Sequence, residues 1–351
     1  MTLTASPPDR PAGALMAAEI AEQPAVLDRI LLESPAEVRR VAARISQARP
    51  RFVVIAARGT SDHAALYLKY LVEIGLGLPC GLASPSTTTA YGARPDLRDV
   101  LWVAVSQSGG SPDLLESTRV AASAGALTLA VTNAPGSPLA QAAQLHLDIR
   151  AGAERAVAAT KTYTATLLTL WLLFDAWRGG DGSAARGLSV LADDLVSNDD
   201  VAAVAARFRF VDKVVVTGRG YAYPTAREAA LKLMETSYLA AHAFSGADLL
   251  HGPLAMIDED RPVVAVVPTG AAGVAMVPVL DRLAERGADL TVVGAPEYAA
   301  GHPHLVVPQT HEELSPILEI IPLQRLAHAM AVARHYDPDA PRGLSKVTRT
   351  T

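Results

Sequence analysis

The sequence predicts an α/β protein made of two copies of one unit, each a parallel sheet wrapped by helices on both faces. Three observations predict it. Short apolar strands alternate with helical segments along the chain, the pattern of crossover connections and not of hairpins. Strand ends recur at nearly one offset: Arg58-Gly59 and Arg219-Gly220 stand 161 residues apart, Val103 to Gly109 matches Val264 to Gly270 at the same 161, and Gly125 to Thr132 matches Gly287 to Gly294 at 162. A Gly-rich break, Arg178-Gly179-Gly180-Asp181-Gly182-Ser183, falls between the copies.

Taken in order, residues 1–48 form a lead-in, loose to residue 13 and helical from Ala14 to about Ala48. The first copy, 49–180, opens with a strand ending in Arg58-Gly59. Val100 to Val105 is an apolar run with the length and branching of a strand covered on both faces. It enters the turn Ser106-Gln107-Ser108-Gly109-Gly110-Ser111, after which Pro112 suits the first turn of a helix carried on through Val120. Residues 181–206 hold a linker helix from Ala184 to about Ala206. The second copy, 207–336, has a strand at Val215 to Gly220, a helix opened by Pro224 and running to Tyr238, and the loop His251-Gly252-Pro253. Residues 337–351 are an irregular tail carrying Arg342, Lys346 and Arg349.

Composition narrows the function. With 351 residues, two domains can each bury a core, and 50% hydrophobic with 19% charged residues argues for a packed enzyme-like body. A net charge of −5 excludes a general polyanion-binding surface, hence nucleic acid, but leaves room for a local anion site. The lone cysteine, Cys80, reads as a core residue, and a reducing compartment fits. No apolar run of membrane-spanning length and no signal core is present, so the expected address is the cytoplasm.

Two places carry chemistry. An anion at the turn after Val105 would meet backbone N–H groups, the positive end of a helix and the side chains of Ser106, Gln107, Ser108 and Ser111, though a turn of this kind alone also fits an ordinary serine-rich connection. The second copy has Val267, Pro268, Thr269 and Ala272 there and has largely lost those groups. It offers instead Lys232 and Glu235, at i and i+3 on one helix face, and His251 sixteen residues on, which in isolation would fit a surface ion pair and an unrelated histidine.

The motifs Arg58-Gly59-Thr60-Ser61-Asp62-His63-Ala64-Ala65, Ser106-Gln107-Ser108-Gly109, Ala156-Val157-Ala158-Ala159-Thr160-Lys161, Ala230-Leu231-Lys232-Leu233-Met234-Glu235, His251-Gly252-Pro253-Leu254 and Pro341-Arg342-Gly343-Leu344-Ser345-Lys346 together resemble tandem sugar-isomerase (SIS) domain proteins. Over nearly the whole chain the likeness is to the isomerase half of glutamine–fructose-6-phosphate aminotransferase and to SIS-type glucosamine-6-phosphate deaminases. The resemblance implies a three-layer α/β/α fold in each half and an active site between the halves, close to a homodimer interface. It places the sugar phosphate on Ser106, Gln107, Ser108 and Ser111, with Thr60 and Ser61 beside it and the Ala158 backbone lining the sugar. It makes Glu235 the base of a C1–C2 proton shift, His251 the ring-opening group, often delivered from the partner subunit, and Lys232 and Lys346 the lysines near the reacting oxygens and amine. The partner implied is a small sugar phosphate; no metal or organic cofactor is implied, and no nucleic acid or membrane. The shift needs a carboxylate base with its pKa lifted towards neutrality, and ring opening a group that exchanges a proton near pH 7, so these residue types suit the task.

Gly110 and Ala159 replace the Glu and Ser usual in the synthase, and no glutaminase-type domain or cysteine precedes Cys80, so the resemblance favours the deaminase branch. The alternatives are an isomerase like that of the aminotransferase, another aldose–ketose isomerase, a fructosamine-phosphate deglycase, and a non-catalytic module that senses sugar phosphate. The tail has two readings, a frayed end or a lid placing Lys346 over the sugar.

Overall fold

The computed structural model describes residues 10–198 and 200–346. Three helices lead in: α1 (Ala14–Ala21), α2 (Gln23–Glu33) and α3 (Pro35–Ala48). The expected continuous lead-in is broken at Glu22 and Ser34 because Pro24 and Pro35 sit at the starts of the next helices, where a missing N–H costs nothing. The first copy follows as β1 (Phe52–Ala56), α4 (Thr60–Gly75), β2 (Cys80–Leu82), α5 (Ser86–Thr89), β3 (Val100–Val105), α6 (Pro112–Ser123), β4 (Leu127–Thr132), α7 (Pro138–Ala142), β5 (Leu145–Asp148) and α8 (Lys161–Trp177).

The linker is two helices, α9 (Leu188–Ser197) and α10 (Val201–Arg207), where the sequence reads as one. Between them Asn198 Oδ1 accepts from the Asp200 N–H at 3.1 Å, a local turn that takes a backbone donor from the helix. The second copy comprises β6 (Lys213–Gly218), α11 (Ala222–Ser237), β7 (Ala240–Ser245), α12 (Gly246–Leu250), β8 (Pro262–Val267), α13 (Ala271–Glu285), β9 (Asp289–Gly294), β10 (His304–Val306) and α14 (Ser315–Ala333). Helix α11 starts two residues before Pro224, which occupies its first turn.

Both sheets are parallel and five-stranded, ordered β2-β1-β3-β4-β5 and, in the same sense, β7-β6-β8-β9-β10, so the repeat in sequence is a repeat in topology. Strand residues alternate between cores. Val53, Ile55, Val103 and Val105 of the first sheet and Val214, Val216, Val264 and Val266 of the second enter one core shared by both copies. Their neighbours Trp102 and Ala104, and Val215 and Val263, enter separate outer cores under α6 and α13. Helix α8 is buried on all sides, as are most residues of α14, and the two fill the space between the sheets. Cys80 is a buried core thiol, pushed up to about 12 by burial. Among the described residues no helix is long and apolar enough to cross a membrane.

A buried carboxyl group of α14 has only hydroxyls as hydrogen-bond partners among the described residues. Glu319 of α14 accepts from Ser315 at 2.8 Å and from Thr225 of α11 at 3.3 Å. Burial pushes it up to about 7, the two hydroxyls pull it back, and the charge of Glu312 adds to the rise. The folded chain therefore keeps a proton that the unfolded chain loses above its ordinary value of 4.5, so this contribution to stability is complete below that pH and is lost as pH rises through about 7. Glu319→Gln removes the titration and should raise Tm more in alkaline than in acidic buffer; equal shifts in melts at the two pH values would sink this reading.

Candidate active site

In a sheet ordered 2-1-3-4-5, the loops leaving the C-terminal ends of strands 1 and 3 diverge to opposite faces and leave a crevice between them. Here those loops are Ala57–Gly59 with the start of α4, and Ser106–Ser111 with the start of α6. Arg58 links them: its Nε and Nη2 each lie 2.9 Å from Oδ2 of Asp113, a buried residue in the first turn of α6. The bond neutralises a carboxylate that would otherwise repel an anion at this helix start.

The turn after β3 has the shape expected of an anion cradle. Ser106 Oγ accepts from Gly109 N–H at 3.2 Å, and Ser108 Oγ from Gly110 N–H at 3.3 Å, so both hydroxyls are held in the turn. Gly109 has φ +60°, and a Cβ there would lie 2.1 Å from Ser137 Oγ, so only glycine fits. Ser111 is the N-cap of α6 yet makes no side-chain cap hydrogen bond, which leaves its hydroxyl for a ligand. Gln107 and Ser61 stand half-buried on the two turns.

From the second copy, α11 presents Glu228, Lys232 and Glu235 at i, i+4 and i+7, a single face. Lys232 is fully buried, with Nζ 2.5 Å from Glu235 Oε2, 3.3 Å from Glu228 Oε1 and 3.2 Å from Thr60 Oγ1. Glu228 is buried as completely; its Oε1 accepts from Thr60 at 3.0 Å and its Oε2 lies 2.7 Å from His63 Nδ1. Burial pushes Lys232 down, but Glu228 and Glu235 outweigh it and hold the amine above its usual range, a cation. Burial likewise pushes Glu228 up, and Lys232, His63 and Thr60 reverse that and hold it below the usual carboxylate range. Glu235, partly exposed, is where this buried charge network reaches solvent.

Thr60 and Ser61 were expected beside a phosphate. The hydroxyl of Thr60 is instead committed to Glu228 and Lys232, so it joins the first copy to the second. Glu228 and His63 were missed by sequence reasoning. The signals were present: Glu228 stands four residues before Lys232, and His63 three after Thr60 on the same helix face.

The Ala158 side chain is buried in a small cluster with Met16, Ile20 and Ala156. Glu154 shapes its loop, accepting from the N–H groups of Thr160 and Thr162 at 2.9 and 3.1 Å. Lys346 docks here, with Nζ 3.1 Å from Glu154 Oε2 and 2.5 Å from the Ala156 carbonyl, and it makes no bond to Glu235. Arg349 lies outside the described residues. His251 caps the C-terminus of α12; it is exposed, and its ring has no hydrogen-bond partner among the described residues. The chain therefore brings together Thr60, Lys232 and Glu235, sets the cradle on the adjoining turn, and leaves Lys346 and His251 apart from them.

At the equivalent turn of the second copy the anion place is taken. Glu312 accepts from the N–H groups of Ala271 and Ala272 at 3.0 and 2.7 Å, at the start of α13. A permanent carboxylate sits where the first copy leaves serines. Among the described residues no cluster of three or more metal-binding side chains occurs.

Comparison with known proteins bears on the family and the fold. The model of the SIS domain family matches residues 45–176 and 208–293. The isomerizing glutamine–fructose-6-phosphate aminotransferase of Methanothermobacter thermautotrophicus is 36% identical over 340 residues, spanning 94% of this chain and 56% of that protein, so the chain covers little more than half the length of this relative. A solved structure from Silicibacter pomeroyi, assigned as a phosphosugar isomerase, is 35% identical with a TM-score of 0.82 and covers 92% of this chain and 99% of its own. The C-terminal domain of glucosamine-fructose-6-phosphate aminotransferase from Francisella tularensis is 26% identical, also with a TM-score of 0.82, over 95% and 99% of the two chains.

If the turn after β3 reads phosphate, Ser106→Ala combined with Ser108→Ala should weaken inorganic phosphate by about 1.5–3 kcal/mol per lost charge-assisted bond. Unphosphorylated sugars should be unaffected. Calorimetric titration with both ligand types measures this, and equal weakening of the two would show that the turn does not read the phosphate.

Proposed function

We propose that this chain, which belongs to the SIS domain family, is an enzyme that moves a proton between C1 and C2 of a hexose 6-phosphate bound across the crevice between β1 and β3. The observation that carries the reading is the buried Glu228–Lys232 pair hung from Thr60, which ties the carboxylate of Glu235 through Lys232 to the start of α4 at one of the two crevice loops.

The favoured reaction is deamination: glucosamine 6-phosphate and water give fructose 6-phosphate and ammonia. Ser106, Gln107, Ser108 and Ser111 hold the phosphate, with Ser61 and the Ala158 backbone beside the sugar. His251, delivered across a homodimer interface, opens the ring. Glu235 takes the proton from C2 and returns it to C1, leaving a C2 imine that water hydrolyses. Lys232 stabilises the enediolate-like charge of the shift, which a fixed cation does without reorganisation. Lys346 approaches the amine from the loop at Ala156–Ala158.

A second reading, in which the same proton shift serves sugar amination as in the aminotransferases, draws support from the 36% identity over nearly the whole chain. It uses the same Glu235.

Glu235→Gln should preserve phosphate binding and lower turnover by roughly 10²–10⁴-fold, the usual worth of a positioned base. Ammonia release and ketose formation, followed on glucosamine 6-phosphate, decide the reaction class. A variant with normal turnover removes Glu235 from the mechanism, and ketose formed from an aldose phosphate without ammonia from the amino sugar replaces deamination by isomerisation.

Lys346→Ala tests the tail. If Lys346 serves the reacting centre, kcat falls while Tm stays close to that of the parent, because the lysine is partly exposed at its one docking loop. A variant turning over at the parental rate strikes Lys346 from the site.

A further inference from the structure

Glu228 is a buried carboxylate whose two oxygens have different partners. Oε1 receives the Thr60 hydroxyl at 3.0 Å and lies 3.3 Å from Lys232 Nζ. Among the described residues Oε2 meets only one group, His63 Nδ1, at 2.7 Å. A carboxylate offers lone pairs alone, so the ring must donate, and Nδ1 carries the proton. Were Oε2 left without a donor, it would be an uncompensated charge in a dry site, and its remaining partner would be the ammonium already held by Oε1. Both oxygens would then turn towards Lys232 and compete with Glu235 for it. His63 blocks that rotation.

The ring is held on one side only. His63 also lines a cleft of about 500 Å³ with Gly59, Asp62, Arg227, Met234 and His242. A small molecule in that cleft can therefore reach His63.

We propose that His63 is a positioning residue: by holding one oxygen of Glu228 it keeps Lys232 divided between Glu228 and Glu235, and so keeps the cation at the carboxylate that moves the proton. The inference rests on the proposed proton shift for its effect on turnover, while its effect on Glu228 does not depend on the substrate.

The test uses the full chain and three variants, His63→Asn, His63→Leu and His63→Ala. His63→Asn keeps a donor near the place of Nδ1, and His63→Leu removes it. With glucosamine 6-phosphate, His63→Leu should lower kcat on the order of 10–100-fold, the loss typical of removing an orienting partner, with KM nearly unchanged. His63→Asn should recover most of it. In unliganded protein, the Glu228 carboxyl followed by carbon NMR should titrate higher in His63→Leu than in the parent or His63→Asn, because a hydrogen bond to the charged form has gone. His63→Ala keeps the contact testable where the leucine variant does not fold: imidazole can enter the cleft, and it should restore kcat and bring the Glu228 titration back down.

An unchanged Glu228 titration in the variants lacking a donor overturns the proposal, as does an equal loss of kcat in His63→Asn and His63→Leu. If no amino-sugar phosphate is turned over by the parent, the proposed reaction fails, and the titration alone still decides whether His63 holds Glu228.

Discussion

The ammonium of Lys232 is the constraint on which the rest of the molecule turns. A cation removed wholly from water is tolerated only beside anions, and removing one partner of such a pair typically costs about 3–5 kcal/mol. Glu228 and Glu235 supply the charge from the same helix, but Glu228 is itself buried and needs donors of its own. Those donors, Thr60 and His63, belong to α4 in the other half of the chain. The electrostatics of one lysine thus fix how α4 packs on α11. The surface joining the two copies and the candidate active site are one structure.

Duplication gave the chain two equivalent crevices, and the halves then divided the work. The first keeps a turn whose hydroxyls and unspent N-cap await an anion. The second has closed its own crevice with Glu312, whose two oxygens take the N–H groups that a phosphate would otherwise take. The fit is close enough that a Cβ at Gly270 would lie 2.4 Å from Glu312 Oε2. In that half the turn after β8 is a structural cap, and the buried charges lie on α11 instead.

Much of this was legible in the sequence because it is local. Strands buried on both faces show as branched apolar runs, and the same run recurring at one offset shows the repeat. The cradle is a short turn, and Lys232 with Glu235 is a spacing on one helix. Glu228 and His63 were legible only as spacings on their own helices; their partnership was not, because it arises when residues 165 positions apart pack against each other. Read singly, one is an acidic residue on a helix and the other a histidine after an aspartate. The break in the linker was missed for the opposite reason: it is very local, a side-chain turn at Asn198 and Asp200 that periodicity does not see. The carboxylate of Glu312 hid in a loop whose sequence resembles no anion site, since it supplies the anion itself.

The described part of the tail is held at three places of unequal strength. At its root, Asp339 caps α1 by accepting from the N–H groups of Leu15 and Met16 at 2.8 Å each, and Asp337 accepts from Gly13 at 2.9 Å. So Gly13, expected to be loose, is held. Further on, the Arg342 guanidinium lies 4.5 Å from the ring centre of Tyr238 and 5.0 Å from that of Tyr336, and the backbone N–H of Arg342 donates to the Tyr238 hydroxyl at 3.0 Å. Exposed contacts of a cation with a ring are worth only about 0.5–1 kcal/mol each, so this clasp opens easily, whereas the two helix-start caps do not. Tyr238 directly follows α11, the helix that carries Glu235, and closes it in a left-handed conformation at φ 55°. Any shift of α11 around a bound sugar therefore reaches the clasp before it reaches the root. Lys346 lies four residues beyond Arg342 and docks separately, on Glu154 and the Ala156 carbonyl, so the clasp at Arg342 can open without disturbing the caps of α1.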